Sequence, residues 1–167
     1  KSLRVIKRLN ESSPLDLIPT FLGAHDIPPE FKNKPDNYVD LICNEMIPAV
    51  AEENLAVYCD VFCENGYFTV DQSRKVLETA KKYRLIPRLH ADEFEDSDAA
   101  ELAADISAIS ADHLMAVSEK GIARLAEKNI LATLLPGTTF FLGKNSYANG
   151  RKMIDRGCRV AIATDFN

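Results

Sequence analysis

Short apolar, β-rich runs alternate with helical patterns along almost the whole chain, and that order restricts the fold more than any single residue does. Strands separated by helices are joined in parallel, because a parallel pair needs a long crossover where an antiparallel pair needs only a tight turn. The runs that read as strands are Pro19–Gly23, Leu55–Phe62, Leu85–His90, Asp105–Ile109, Ile130–Leu135 and Arg159–Asp165. Helical spacing is carried by Tyr38–Glu53, Val70–Tyr83, Asp98–Ala104, Glu119–Lys128 and Ser146–Asp155, while Leu3–Leu9 reads as a further short strand or a linker. Thr69 with Gln72 three residues on makes a capping box, and Gly157 supplies a stop after the last helix.

Several strands are apolar almost without interruption, Ile130-Leu131-Ala132-Thr133-Leu134-Leu135 among them. That is the pattern of strands covered by helices on one face and by a barrel interior on the other. The expectation is an α/β fold, a parallel (β/α)8 TIM-like barrel that is incomplete here, with about six βα units in 167 residues. A closed barrel of this kind has eight units and about 250 residues. The chain is therefore expected to be a piece, one partial barrel domain over residues 1–167.

The net charge of −5, with no cluster of Lys or Arg, argues against nucleic acid or an anionic membrane surface as partner and favours a small molecule. No apolar stretch approaches the roughly 20 residues of a membrane span, and Lys1-Ser2-Leu3-Arg4 leads into no signal-peptide core, so the chain reads as cytoplasmic. Cys43, Cys59, Cys63 and Cys158 form no CxxC pair and read as reduced, mostly buried thiols.

Chemistry-bearing residues follow the ends of the strands. His25 comes after Phe21-Leu22-Gly23, His90 after Arg88-Leu89, and His113 lies in Ser110-Ala111-Asp112-His113-Leu114, which accounts for all three histidines. Asp165 closes Ala161-Ile162-Ala163-Thr164-Asp165. In a parallel barrel the carboxyl ends of the strands share one mouth, so residues distant in sequence can meet. Imidazole nitrogen and carboxylate oxygen both suit zinc or iron, and a carboxylate at Glu93 is placed to move protons near a metal-activated water. His90-x-x-Glu93 alone is a weak signal; its company gives it value.

The series Phe21-Leu22-Gly23-Ala24-His25, Phe62-Cys63-Glu64, Leu89-His90-Ala91-Asp92-Glu93, Ala111-Asp112-His113-Leu114, Leu134-Leu135-Pro136-Gly137 and Ala163-Thr164-Asp165-Phe166-Asn167 resembles the amidohydrolase superfamily and, within it, the imidazolonepropionase family. The resemblance runs the length of the chain and places its units as barrel strands three to eight. It implies that His90 and Asp165 bind the metal, one Zn2+ or Fe3+ in a full-length subunit. It further implies that His25, Glu93 and Asn167 contact the substrate, and that Glu93, His113 and Asp165 are catalytic. Glu93 would transfer protons, His113 would stabilise the developing oxyanion as a cation or a hydrogen-bond donor, and Asp165 would act as base toward the metal-bound water.

The implied reaction is hydrolysis of the ring amide of 4-imidazolone-5-propanoate to N-formimidoyl-L-glutamate, in a protein that is a homodimer at full length. The family's His-x-His pair on strand one, strand two, the small β-sandwich domain and the N-terminal arginine and tyrosine around the substrate have no counterpart here. With half of the ligands missing, this polypeptide alone is expected to hold metal poorly or not at all and to be inactive or nearly so. Two other readings stay open: a deaminase-type amidohydrolase acting on a heterocyclic base, and a non-catalytic α/β fragment whose exposed strand edges pair with other chains. Glu64 reads as a local hydrogen-bonding residue. Pro136-Gly137 reads as a turn, and the acidic run Asp92, Glu95, Asp96 and Asp98 as a solvated cap for the following helix.

Overall fold

Parallel pairing is what the alternation produces. The computed structural model describes residues 1–166. Its sheet holds six strands in sequential order, β1 (Thr20–Ala24), β2 (Tyr58–Cys63), β3 (Ile86–Ala91), β4 (Ser110–His113), β5 (Leu131–Leu134) and β6 (Arg159–Ile162), every neighbouring pair parallel. The helices are α1 (Ser2–Ser12), α2 (Pro35–Leu41), α3 (Ile47–Glu52), α4 (Val70–Lys82), α5 (Ala99–Asp105), α6 (Glu119–Glu127), α7 (Pro136–Phe141) and α8 (Gly150–Asp155). Within the described residues β1 and β6 each have one strand neighbour, so the sheet is an open arc of a barrel.

The two faces of the arc differ in chemistry because side chains alternate along a strand. Outward-facing Cys59, Val61, Leu89, Ala91, Ala111 and Ala132 are buried against Val76, Leu77 and Ala80 of α4, Leu102 and Ala103 of α5, and Ile122 and Leu125 of α6. Small residues bring α5 and α6 together. A side chain on Gly121 would meet Ala100 Cβ at 3.0 Å and Val117 Cγ2 at 2.8 Å. The inner face is not the apolar lining anticipated. It carries Tyr58, Asp60 and Phe62 on β2, Arg88 and His90 on β3, and Ser110 and Asp112 on β4.

Other departures have local causes. Leu3–Leu9, read as a strand or linker, belongs to α1, in which half-buried Leu3 and Ile6 are one helical turn apart; Leu3 packs on the core, and Arg4 and Lys7 bind Glu53. The strand read over Asp105–Ile109 lies instead at Ser110–His113. Ile106 and Ala108 are apolar because they close the core beneath α5, whereas β4 itself exposes polar Ser110 and Asp112 to the inner face. The single helix read over Tyr38–Glu53 is α2 and α3 joined by a π-turn at Ile42–Met46. Pro48 has no N–H for the preceding turn, and a wider turn just before it accommodates the loss. Pro136-Gly137, read as a turn, starts α7 with proline in its first turn, where no N–H is needed. The strand and helix read over Arg159–Asp165 and Ser146–Asp155 are shorter than anticipated, ending at Ile162 and beginning at Gly150.

The capping signals hold: Thr69 Oγ1 accepts from the Gln72 N–H and Gln72 Oε1 from the Thr69 N–H, while Gly157 follows α8 with φ of +88°. All four cysteines are free and buried. Of the acidic run, Asp92 does cap α5, but from a fully buried position. Its carboxylate accepts from the N–H groups of Ser97, Ala99 and Ala100 at 3.0–3.1 Å and from Ser97 Oγ at 3.2 Å. Asp92 thus fixes the loop that leaves β3. Asp92→Ala strands several buried donors, and we expect it to lower unfolding stability by about 2–4 kcal/mol in urea titrations; a loss below about 0.5 kcal/mol would contradict this role for the carboxylate.

Candidate active site

The carboxyl ends of β1, β3 and β6 bring their trailing residues to one cavity of about 560 Å3. Its walls include His25, Phe62, His90, Glu93, Thr138 and Asp165, with apolar cover from Phe94, Phe141 and Leu142. Four of the residues singled out in the sequence, His25, His90, Glu93 and Asp165, therefore share one space although they span 140 positions. His113 is not part of the lining. It is buried behind, with its ring 5.1 Å from that of His90 and its Nδ1 3.5 Å from Glu93 Oε1. Asn167 lies outside the described residues.

His90 is held from several sides. Its Nδ1 lies 3.0 Å from Asp60 Oδ1, Phe62 packs against the ring at 5.5 Å, and His25 approaches edge-on at 5.8 Å. A carboxylate only accepts, so the proton of that contact belongs to Nδ1 and the lone pair of the neutral ring to Nε2. Asp165 follows the end of β6 with a left-handed φ of +52°, and its Oδ2 accepts from Thr138 Oγ1 at 2.8 Å. Thr138 is on α7, so the segment read as a turn orients this carboxylate. Glu64 is buried and accepts from the N–H groups of Asn65 and Phe94 at 3.0 and 2.9 Å, tying the loop after β2 to the loop after β3.

The charges on the inner face interlock. Arg88 Nη2 donates to Asp112 Oδ2 at 2.7 Å and its guanidinium lies over Tyr58. β3 thus presents two nitrogen donors, each answered by a carboxylate from a different neighbour, His90 by Asp60 on β2 and Arg88 by Asp112 on β4. Arg88 Nε, Ser110 Oγ and Asp112 Oδ1 are buried with no hydrogen-bond partner among the described residues. Sequence reasoning missed Asp60 and Arg88. The signal that could have found them was strand parity: Asp60 and Phe62, like Arg88 and His90, alternate with apolar positions and so belong to the site's face.

These surroundings set the acidities. Burial pushes the Glu93 carboxyl up to about 7, with Asp165 and Glu64 acting the same way and His90 and Lys144 opposing. Burial, then the neighbouring His90, push His113 down to about 4, against Asp165 and Asp60. For His90, burial pulls downward, but Asp60, its hydrogen bond, Asp112 and Glu93 prevail and hold it above the ordinary histidine value. Burial also raises the thiols, Cys63 to about 11, so they stay protonated and inert near neutrality.

Among the described residues, Asp92, Asp96 and Glu101 are close enough to share a cation. Both Asp92 oxygens are already occupied as the α5 cap, and Asp96 is exposed. The cavity walls offer the more suitable donors, His90 Nε2 and the Asp165 carboxylate.

No family model matches the chain. Curated imidazolonepropionases do: that of Brevibacillus brevis is 56% identical over 167 residues, all of this chain and 39% of the relative. Those of Alkaliphilus oremlandii and Bacteroides fragilis are each 51% identical, over 100% and 99% of this chain and 40% of theirs. The chain spans about two fifths of the length of these relatives. Among solved structures, the Arabidopsis N6-mAMP deaminase superposes with a TM-score of 0.71 at 13% identity, covering 96% of this chain and 49% of that one. An adenine deaminase from Arthrobacter aurescens gives 0.70 at 15%, covering 97% and 48%. At such identities the deaminases show the fold alone, a parallel α/β barrel that is open in the described residues. By sequence, the chain is similar throughout its length to about two fifths of the imidazolonepropionases of these organisms.

Proposed function

We propose that this chain supplies the strand-end part of a metal-dependent hydrolase site that opens the ring of 4-imidazolone-5-propanoate to N-formimidoyl-L-glutamate, the site being complete in the full-length protein. The observation that carries this reading is the shared cavity of His25, His90, Glu93 and Asp165, reached from three strand ends. The relatives' common name supports the choice of substrate. The deaminase reading has the fold in its favour and nothing nearer.

The residues fit a metal. Asp60 occupies His90 Nδ1 and leaves Nε2, Thr138 occupies one Asp165 oxygen and leaves the other, and an imidazole nitrogen with a carboxylate oxygen suits zinc and iron alike. A Zn2+ or Fe3+ ion held there would supply the acidity that makes water a nucleophile near neutral pH. Asp165 would take a proton from the attacking water. The water oxygen bonds to the ring carbonyl carbon, the C–N bond breaks, and the departing nitrogen takes a proton. Glu93, with its carboxyl near 7, is matched to that exchange at physiological pH. His113 is neutral there, so it would act on the carbonyl oxygen through hydrogen bonding and not as a cation. His25 and Asn167 would contact the ring.

Two outcomes test the reading in full-length enzyme. With 4-imidazolone-5-propanoate as substrate, His90→Ala should lower kcat/KM by at least about 100-fold and Glu93→Gln should lower kcat by about 100–10,000-fold. Ammonia release from adenine or guanine, with no ring opening of the imidazolone, would overturn the assignment in favour of a deaminase.

The paired shifts also give a pH signature in this chain with chelator present. Glu93, raised from 4.5 to about 7, contributes stability that is present below 4.5 and lost as pH rises through 7. His113, lowered from 6.5 to about 4, contributes stability that is present above 6.5 and lost as pH falls through 4. The slopes oppose between pH 4.5 and 6.5. Glu93→Gln removes one of them, so the variant's thermal midpoint should climb with pH across that window more steeply than the parent's; parallel Tm profiles would show that the opposed shifts are absent.

A further inference from the structure

We infer that Asp60 is a positioning residue for the proposed site, fixing the proton of His90 on Nδ1 so that Nε2 is presented to the cavity as a ligand. The inference deepens the metal-site reading above and rests on it. Asp60 is 4% exposed on the inner face of β2, and among the described residues its carboxylate makes one side-chain hydrogen bond, to His90. Its register partner on β3 is Arg88, yet Arg88 turns to Asp112 on the far side. Asp60 is thereby left for His90, two positions further along the strand.

This diagonal arrangement has a physical reason. Asp60 and Arg88 share a rung, as do His90 and Asp112, so either donor could in principle bind either carboxylate. With Arg88 Nη2 committed to Asp112 at 2.7 Å, the side-chain donor that pairs with Asp60 is the imidazole, at 3.0 Å. Phe62, His113 and His25 pack around the ring and restrict its rotation, so the hydrogen bond selects which nitrogen is protonated as well as where the ring lies. Partners of this kind set the tautomer and orientation of ligating histidines, and their removal typically weakens metal binding about 10–100-fold.

The test reads the tautomer directly, without metal. In full-length enzyme carrying 15N-labelled histidine, at alkaline pH where His90 is neutral, the nitrogen shifts should report an Nδ1–H ring in the parent. Asp60→Ala should shift the population toward Nε2–H, whereas Asp60→Asn, whose carbonyl oxygen accepts the same proton, should keep Nδ1–H. Zn2+ affinity, measured by competition with a chromophoric chelator, should weaken about 10–100-fold in Asp60→Ala and by less in Asp60→Asn. An unchanged tautomer and affinity in Asp60→Ala, or an Nε2–H ring in Asp60→Asn, overturns the positioning role. His90→Ala separates the two readings. If it leaves Zn2+ affinity intact, the metal-site assignment itself fails, whereas a large loss there beside an indifferent Asp60→Ala fails only the role of Asp60.

Discussion

Parallel register is the constraint from which the rest of this structure follows. Because every strand runs the same way, every strand end opens at the same rim, and a residue one to three positions beyond a strand lies there whatever its place in the sequence. His25 and Asp165 are 140 residues apart and line one cavity for this reason alone. The same constraint divides the sheet into a face that packs on helices and a face that carries polar groups, because a shift of one residue would move every side chain to the opposite face.

Much of this was legible. Strong periodicity and caps fixed α4 and α6 to within a residue at each end, since Thr69 with Gln72 and the exposed acidic and basic faces leave few alternatives. The strand-end residues were visible as punctuation after apolar runs. What escaped was the strand with polar alternation: β4 has Ser110 and Asp112 where an apolar run would be sought, and the apolar residues nearby, Ile106 and Ala108, belong to the turn that seals α5. Similarly, α1 was hidden because Val5-Ile6 is β-branched, while its helical stripe consists of only Leu3 and Ile6.

The inner face shows how far composition can mislead. A closed barrel interior filled by branched apolar side chains predicts nothing like Asp60, Arg88 and Asp112, yet these lie on adjacent strands at matched register. Each charge is partnered, and the unsatisfied atoms that remain, Arg88 Nε, Ser110 Oγ and Asp112 Oδ1, cluster on the same face. Burying ion pairs is a poor route to stability, because desolvation offsets most of the attraction. Their concentration directly beneath the cavity, beside a helix-facing layer that is apolar at Val61, Leu89, Ala111 and Ala132, points to positioning as their use.

That division of labour extends to the acidities. Glu93 and His113 touch, are both buried, and are pushed in opposite directions by the same low-dielectric surroundings, because burial disfavours whichever form is charged. With a carboxyl near 7 beside an imidazole that stays neutral, Glu93 is the member of the pair that takes up and releases a proton near neutrality. Asp60 breaks the symmetry. Its hydrogen bond raises the proton affinity of His90, and His90 in turn lowers His113 and opposes the rise of Glu93. A carboxylate on β2 that never reaches the cavity thus bears on the proton affinity of the residues around it, through one hydrogen bond to the histidine on β3.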